Sequence, residues 1–249
     1  MQIQSTVFSH TALLLLFLPV YLSSQDVRFE KLPEFDLTEL GYGGITDITQ
    51  DPEGYMWFAT LNGLYRYDGY LVLTYQNDNS NPQSLALNHL NSVYADQDGL
   101  IWIGTVGRGV DCLNPKTGVF KNYRHHPNEN ESICNDTINT IRGDKNGFLW
   151  IGTMNGLSYL NTRTGKSTSY YFNKNDPNSI SDKEVRVIYK DKAGTSWFGT
   201  RSGFSVGPDK ENPGGLNRFN PETGNFTRYL RSPNDSKTLI NNRITAIFE

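Results

Sequence analysis

The stretch DQDGLIWIGT, residues 96–105, is one of four copies of a sequence repeat. The shared pattern is Asp-x-x-Gly-x-x-Trp, followed by Ile or Phe, then Gly or Ala, then Thr. Its other copies are DPEGYMWFAT at 51–60, DKNGFLWIGT at 144–153 and DKAGTSWFGT at 191–200. The tryptophans of the four copies, Trp57, Trp102, Trp150 and Trp197, are therefore 45, 48 and 47 residues apart. A period in the forties is typical of a stacked or radial array of one supersecondary unit.

Each repeat has the pattern of four short antiparallel strands. An alternating apolar stretch precedes each Asp, at residues 45–48, 90–93, 138–141 and 185–188. The Asp can bond its own backbone and the following glycine tolerates positive φ, so the phrase predicts a reversal into a second strand. These glycines are Gly54, Gly99, Gly147 and Gly194. Third and fourth strands follow, which predicts an all-β fold: a β-propeller with about four four-stranded blades and the start of a fifth, in an incomplete ring.

The tryptophan of each repeat is predicted to be structural. A buried Trp removes roughly 150–250 Å² from water, which stabilises a fold by about 4–6 kcal/mol as an upper bound. On a sheet face that meets the next sheet, the indole would hold neighbouring blades together. We therefore assign the tryptophans and the glycines of the phrase to the architecture of the repeat and not to ligand binding.

Composition and charge narrow the function. The chain has 249 residues and a net charge of −3, which predicts a soluble globular segment that does not bind nucleic acid. An apolar core at residues 11–22 is too short for a convincing membrane span, so residues 1–24 predict a signal peptide, with an uncleaved anchor as the alternative. Cys112 and Cys134 could pair in an oxidising compartment, although two free, partly buried thiols are the simpler interpretation.

A second recurring phrase joins the repeats. It combines Asn or Pro, then Ser or Thr, an apolar residue and a final Asn or Asp, at residues 81–88, 128–135, 177–182 and 234–241. Together with the Trp phrase and the turn NPKTG at 114–118, it closely resembles the two-component regulator propeller repeats. The resemblance covers about residues 45–249. It implies the periplasmic sensor part of a bacterial hybrid two-component histidine kinase, with an oligosaccharide as ligand and a homodimeric full-length protein.

The resemblance also sets the expected domain organisation. Residues 1–24 are the signal peptide, 25–44 a lead-in and possible closing strand, and 45–249 the propeller. Its blades are expected at about 45–89, 90–137, 138–184 and 185–243, with the start of the next at 244–249. The family's transmembrane helix, kinase core and output domains are not found in the sequence, so the chain is predicted to be part of a longer inner-membrane sensor. Membrane contact is expected only through the N-terminal signal or those C-terminal regions.

Candidate ligand-binding residues lie in loops that would open on one face of the propeller. These are the loops from the second strand to the third and from the fourth strand to the next first strand. The residues singled out are His89, Arg108, Asn155, Lys183, Arg201 and Arg243. Arginine can hold an acidic or hydroxylated ligand through several N–H donors, but solvated loop charges and a plain loop histidine are the alternative interpretation. The fourth repeat also carries an insertion at 206–215.

Other functions stay open at the level of sequence. Propellers also host glycosidases and lyases, but glycosidase chemistry needs two converging carboxylates, and no Asp or Glu stands apart from the repeated turn residues. No catalytic residue, cofactor or metal site is therefore predicted for this segment. The neighbours His125 and His126 would point to opposite faces of a strand, which disfavours joint metal binding. A propeller for protein docking or dimerisation, and the sensor of a diguanylate cyclase, are the further alternatives.

Overall fold

The computed structural model describes residues 44–144, 146–200 and 214–249, and the regular structure in these ranges is entirely β. The predicted signal peptide, all but the last residue of the lead-in, Arg201 and nearly all of the 206–215 insertion lie outside the described residues. Sixteen strands in the described ranges form four sheets of four, each an antiparallel meander in chain order. The all-β prediction with four four-stranded blades is confirmed.

The strand bounds follow the repeat. The first sheet contains β1 (Ile45–Gln50), β2 (Met56–Thr60), β3 (Gly63–Tyr67) and β4 (Val72–Tyr75). The second contains β5 (Leu90–Ala95), β6 (Ile101–Thr105), β7 (Val110–Asn114) and β8 (Val119–Tyr123). The third contains β9 (Ile138–Gly143), β10 (Phe148–Thr153), β11 (Gly156–Asn161) and β12 (Ser167–Tyr170). The fourth contains β13 (Val185–Lys190), β14 (Ser196–Thr200), β15 (Gly215–Asn220) and β16 (Asn225–Tyr229).

Successive sheets meet along their first strands. Strand β1 contacts β5, β5 contacts β9, and β9 contacts β13. The four described sheets do not close into a ring, in agreement with the incomplete propeller predicted from the sequence. Residues 244–249, predicted to begin a fifth sheet, form no strand. Ile244 nevertheless lies against Gly199 as Ile138 lies against Gly104, so the chain there follows the path of the next first strand.

Each first strand has an irregularity near its start that leaves one residue out of the pairing with the second strand. A bulge of this kind re-aims the side chain of the extra residue. In three sheets that side chain donates a hydrogen bond to the start of the next first strand: Thr46 Oγ1 to Leu90 O at 3.0 Å, Asn91 Nδ2 to Ile138 O at 2.8 Å and Asn139 Nδ2 to Val185 O at 3.1 Å. The backbone irregularity therefore serves cohesion between the sheets.

The core lies between neighbouring sheets. Trp57, Trp102 and Trp150 are 0%, 1% and 5% exposed, and each packs against apolar residues of the following sheet. Trp197 is half-buried and lies beside Tyr229, with 5.7 Å between ring centroids. This position of the indole, on the face that meets the next sheet, accounts for its recurrence in every repeat.

Candidate functional site

One face of the sheets brings together the two sets of loops predicted to bind a ligand. We call this the loop face; it comprises the turns from second to third strands (61–62, 106–109 and 154–155) and the linkers entering the first strands (86–89, 134–137, 181–184 and 240–243). Backbone hydrogen bonds join turn to linker: Gly63 N to Asn88 O at 2.8 Å, Val106 N to His89 O at 3.0 Å, Gly109 N to Asp136 O at 2.8 Å and Gly156 N to Lys183 O at 2.5 Å. The turns are therefore held against the linkers without using their side chains.

The threonine that ends each Trp phrase fixes the turn next to it. Its hydroxyl donates to a glycine carbonyl at the start of the third strand, as in Thr105 Oγ1 to Gly109 O at 2.8 Å and Thr153 Oγ1 to Gly156 O at 2.8 Å. The same hydroxyl accepts a backbone N–H from the turn, from Arg108 at 3.0 Å and from Asn155 at 3.1 Å. The backbone of these two predicted site residues is therefore anchored, and their side chains face outward.

The structure places five of the six predicted ligand-binding residues on this face. His89, Arg108, Asn155, Lys183 and Arg243 all have exposed side chains. His89 lies beside the turn that carries Arg108, and Lys183 lies beside the turn that carries Asn155, through the turn-to-linker bonds. The sixth, Arg201, lies outside the described residues. The loop face thus presents imidazole, amide, ammonium and guanidinium groups to solvent, a set that donates hydrogen bonds to hydroxyl or carboxylate oxygens.

Two buried carboxylates on the loop face flank Lys183. Asp182 is 0% exposed and Glu184 is 2% exposed. Arg186 Nη2 lies 2.5 Å from Glu184 Oε1. Sequence analysis did not single out Glu184, because an acidic residue in a linker looks like an ordinary solvated charge until its burial is known. Lys183 is therefore an exposed residue between two neighbours whose carboxyl groups are buried.

A third buried carboxylate, Asp111, supports the linker between the first two sheets. Its side chain is 0% exposed. It accepts a hydrogen bond from Ala86 N at Oδ2 and another from Asn122 Nδ2 at Oδ1, both at 2.8 Å. Burial raises the pKa of Asp111 to about 6, while the two hydrogen bonds and nearby Arg124 act in the opposite direction. In the next two linkers the equivalent backbone N–H donates to an uncharged acceptor. Cys134 N donates to Ser158 Oγ at 2.9 Å, and Ser181 N donates to Asn217 Oδ1 at 2.9 Å.

The opposite face, which we call the turn face, carries the turns of the Asp phrases and the turns between third and fourth strands. In each Asp phrase the carboxylate accepts backbone N–H groups at Oδ1, as in Asp51 with Glu53 N at 3.0 Å and Tyr55 N at 2.9 Å. The other oxygen accepts the indole N–H of the same phrase in three repeats, each at 2.8 Å: Trp57 to Asp51, Trp102 to Asp96 and Trp197 to Asp191. The indole hydrogen bond lowers the pKa of Asp191.

The third repeat departs from this arrangement. Asp144 Oδ2 accepts the Tyr159 hydroxyl at 2.5 Å, and Trp150 packs against the Tyr159 ring at a centroid distance of 4.2 Å. Tyr159 pairs with Trp150 across the two strands. The positions facing the other three tryptophans hold Arg66, Cys112 and Arg218, none of which has a hydroxyl. The single tyrosine therefore replaces the indole as the partner of the turn carboxylate.

Surface depressions accompany these features. One, of about 680 Å³, lies between the linker at 125–132 and strand β12. A second, about 520 Å³, lies on the turn face between the third and fourth sheets and is lined by Asp144, Tyr159 and Arg218. The third, about 310 Å³, lies between the linker at 77–86 and strand β8 and is lined by Arg108, Asp111 and Arg124. Of these three depressions, only the last is lined by a predicted ligand-binding residue, Arg108.

Two observations on the described ranges concern metal ligands and thiols. No group of three or more His, Cys, Asp or Glu side chains there could hold a metal ion. Cys112 and Cys134 are both free and buried, so the alternative of a disulfide between them is not formed. Burial raises the pKa of the Cys112 thiol to about 12 and also raises that of Cys134. Both sulfurs therefore stay protonated at neutral pH.

The described part of the chain contains no helix with the length and apolar character needed to cross a bilayer.

Comparison with known proteins identifies the repeat. The family described as "two component regulator propeller" matches residues 39–62, 84–107 and 132–155. Among curated proteins, none matches the chain.

Solved structures share the fold. The extracellular domain of a putative hybrid two component system of B. thetaiotaomicron is 24% identical with a TM-score of 0.51, over 82% of this chain and 37% of that one. The extracellular domain of a putative one component system of the same organism is 18% identical with a TM-score of 0.59, over 84% of this chain and 24% of that one. The WD40 repeats of RRP9 are 9% identical with a TM-score of 0.53, over 76% of this chain and 52% of that one. The chain thus spans between a quarter and two fifths of the two bacterial domains.

Proposed function

The chain carries repeats of the two component regulator propeller family, and from this premise we propose that it is the extracytoplasmic, ligand-sensing part of a signal-transduction protein. The observation that carries the proposal is the match of three successive repeats to that family. The bacterial structures with the same fold are described as extracellular domains of two component and one component systems, which supports an extracytoplasmic location and a sensor role. In this proposal the segment binds and does not catalyse.

We propose the loop face as the sensing surface and an oligosaccharide as its ligand. Exposed Arg108, Asn155 and Lys183 offer N–H donors on anchored backbone, so a hydroxyl-rich ligand would order their side chains without having to order the turns and linker that carry them. Of the two buried carboxyl groups beside Lys183 in the chain, Glu184 pairs with Arg186. Because hydroxyl oxygens accept hydrogen bonds from N–H donors, a hydroxylated ligand fits this surface.

The full-length protein is proposed to be a hybrid sensor histidine kinase that is anchored in the inner membrane and acts as a homodimer. In such a protein, a ligand on the propeller would bias the relative arrangement of two subunits, because a ligand shifts an equilibrium only through its different affinity for the two states. The alternative outputs are a diguanylate cyclase or a docking surface, and both would use the same propeller.

The proposal is tested in the source organism. The gene is deleted, or replaced by a version with Arg108→Ala and Lys183→Ala, and transcripts are compared during growth on single polysaccharides. We expect one polysaccharide to induce a defined gene set in the wild type and not in the deletion strain, and the double variant to require more ligand for the same response. Thr227→Ala, an exposed change on the outer strand of the fourth sheet, serves as the control.

Two outcomes would contradict the proposal. Unchanged transcription in the deletion strain on every polysaccharide would remove the sensor role. Release of shorter sugars by the purified chain would indicate the enzyme alternative, a secreted glycosidase or lyase.

A further inference from the structure

Strand β12 of the third sheet differs from the outer strands of the second and fourth sheets at two positions. At the first position the third sheet has Ser167, whereas the second and fourth sheets have Phe120 and Phe226. At the second position, two residues further along, the third sheet has Ser169, whereas the second and fourth have Asn122 and Arg228. The first sheet has Val72 and Thr74 at these positions, so the contrast in size holds against the second and fourth sheets.

The larger side chains fill the space between the outer strand and the neighbouring sheet or linker. Phe226 is 4% exposed and packs edge-on against Tyr170 at 5.5 Å. Arg228 donates to the linker carbonyls of Ser179 at 2.7 Å and Asp176 at 2.8 Å. At the third sheet the smaller Ser167 and Ser169 take these places, Ser169 Oγ donates to Ser132 O of the linker at 3.5 Å, and a depression of about 680 Å³ lies alongside them. We call it the rim groove; its walls are the linker at 125–132 and the alternate outer-strand residues Ser167, Ser169 and Tyr171.

A buried hydroxyl in the rim groove is left without a partner. Ser167 is 5% exposed, and its Oγ makes no hydrogen bond to any described group. The backbone of Ser167 is satisfied, since its N–H donates to Glu131 O at 2.7 Å. An unpaired buried hydroxyl lowers stability relative to an alanine of similar size. Less than 1 Å² of this oxygen is accessible, so a ligand hydroxyl that both donates and accepts would remove this cost once the Ser167 side chain turns toward the groove.

The charged side chains that line the rim groove are Lys166, Glu131 and Glu129, of which the first two form an ion pair. Lys166 Nζ lies 2.7 Å from Glu131 Oε2, and His125 Nδ1 lies 2.8 Å from Ile133 O. At one end of the groove the Tyr171 ring is 49% exposed, and burial raises the pKa of its hydroxyl while a hydrogen bond with Ser169 acts in the opposite direction. The groove therefore offers hydroxyls and one open aromatic face, with the Lys166 charge neutralised.

We propose that the rim groove is a second binding site, for one or two sugar units of a neutral oligosaccharide. A sugar ring stacks its C–H face on Tyr171 and exchanges hydrogen bonds with the hydroxyls of Ser167 and Ser169. This inference rests on the proposed function and adds to it, because the groove lies on the outer edge between the second and third sheets and does not include the predicted residues of the loop face. A long ligand could then be held at two points on the same propeller.

The test measures binding and stability together on the 249-residue chain. Isothermal titration calorimetry is run with maltohexaose, xylohexaose, mannohexaose and arabinohexaose, and thermal unfolding is recorded for each variant. Ser167→Ala should weaken binding of a recognised hexasaccharide by about twofold to tenfold, the value of one neutral hydrogen bond. It should leave the Tm unchanged or higher. Ser167→Phe restores the residue of the second and fourth sheets and should abolish binding while the protein stays folded.

The outcomes separate this site from the sensor role. Weaker binding in Ser167→Ala with an undiminished Tm, and unchanged binding in the Thr227→Ala control, support the rim groove. If both Ser167 variants bind as the wild type does, while Arg108→Ala with Lys183→Ala loses binding, the rim groove is overturned and the proposed function stands. If the wild type binds none of the four sugars, the rim groove is overturned as well, and the transcript experiment alone decides the sensor role. If Ser167→Phe fails to fold, the binding and Tm of Ser167→Ala alone test the rim groove.

Discussion

Replacing the turn aspartate by asparagine should be damaging in the first repeat and tolerated in the third. Asp51 is 8% exposed and accepts the indole N–H of fully buried Trp57 at 2.8 Å. An indole can only donate. In Asp51→Asn the carbonyl oxygen keeps the backbone N–H groups of the turn, so the amide NH₂ meets the indole donor and the bond is lost. A hydrogen bond to a charged group contributes about 1.5–3 kcal/mol, and the orphaned indole N–H adds to the cost.

Asp144→Asn is the matched control. Its outer oxygen accepts the Tyr159 hydroxyl at 2.5 Å, and a hydroxyl can reverse to accept from the new NH₂. Both variants lose the same charge and keep the same turn, so their difference isolates the donor-only indole. We expect Asp51→Asn to lose about 2 kcal/mol more than Asp144→Asn, or roughly 4–8 °C in Tm for a domain of this size.

Thermal and urea unfolding, followed by tryptophan fluorescence, measure this difference. Equal destabilisation of the two variants, within about 0.5 kcal/mol, would refute the reasoning. It would mean that the carboxylate acts only through the turn backbone and that its indole bond adds nothing to stability.

Three further outcomes are expected. Arg228→Ala removes the hydrogen bonds to the linker at 173–180 and should lower the free energy of unfolding by on the order of 2 kcal/mol. Backbone hydrogen exchange in that linker should become faster. Arg228→Lys keeps the charge but not the several N–H donors of the guanidinium, so it should restore little of the lost stability. Because burial raises the pKa of Asp111 from 3.8 to about 6, the folded protein holds a proton there that the unfolded chain has lost. The stability contribution of Asp111 should therefore fall as pH rises from about 4 to 7, by up to roughly 3 kcal/mol relative to Asp111→Asn, and a flat difference would contradict the shift. Cys112 and Cys134 should react with a thiol reagent only after unfolding, and rapid labelling of the native chain would contradict their burial.

The sequence predicted the features whose causes are local. The turn of the Trp phrase depends on an Asp that bonds its own backbone and a Gly at positive φ, such as Gly54 at 96° and Gly99 at 79°. Both can be read from a few neighbouring residues and their period. The sheet order follows because each strand pairs with the next one along the chain.

Features that depend on strand register could not be predicted in this way. Tyr159 takes the place of an indole only because it faces Trp150 across two strands, and the rim groove arises because Ser167 falls at a position filled by Phe in the second and fourth sheets. The burial of Glu184 likewise depends on packing between sheets. Alignment of the fourth strands by register, rather than by residue type, is the signal that would have revealed the two serines.

The linkers also decide where the chain can be divided. In the second, third and fourth sheets the outer strand donates a backbone N–H to a carbonyl of the linker that precedes its own sheet: Phe120 N to Gln83 O at 3.3 Å, Ser167 N to Glu131 O at 2.7 Å and Phe226 N to Asn178 O at 2.7 Å. An exposed outer edge is a template for aggregation, and here the preceding linker covers part of it. A gene segment that begins at a first strand would code for a sheet with a bare edge, whereas one that begins about a dozen residues earlier would carry its own cover. Duplication of repeats during evolution, or their exchange between engineered proteins, should therefore succeed only at boundaries placed ahead of the linker.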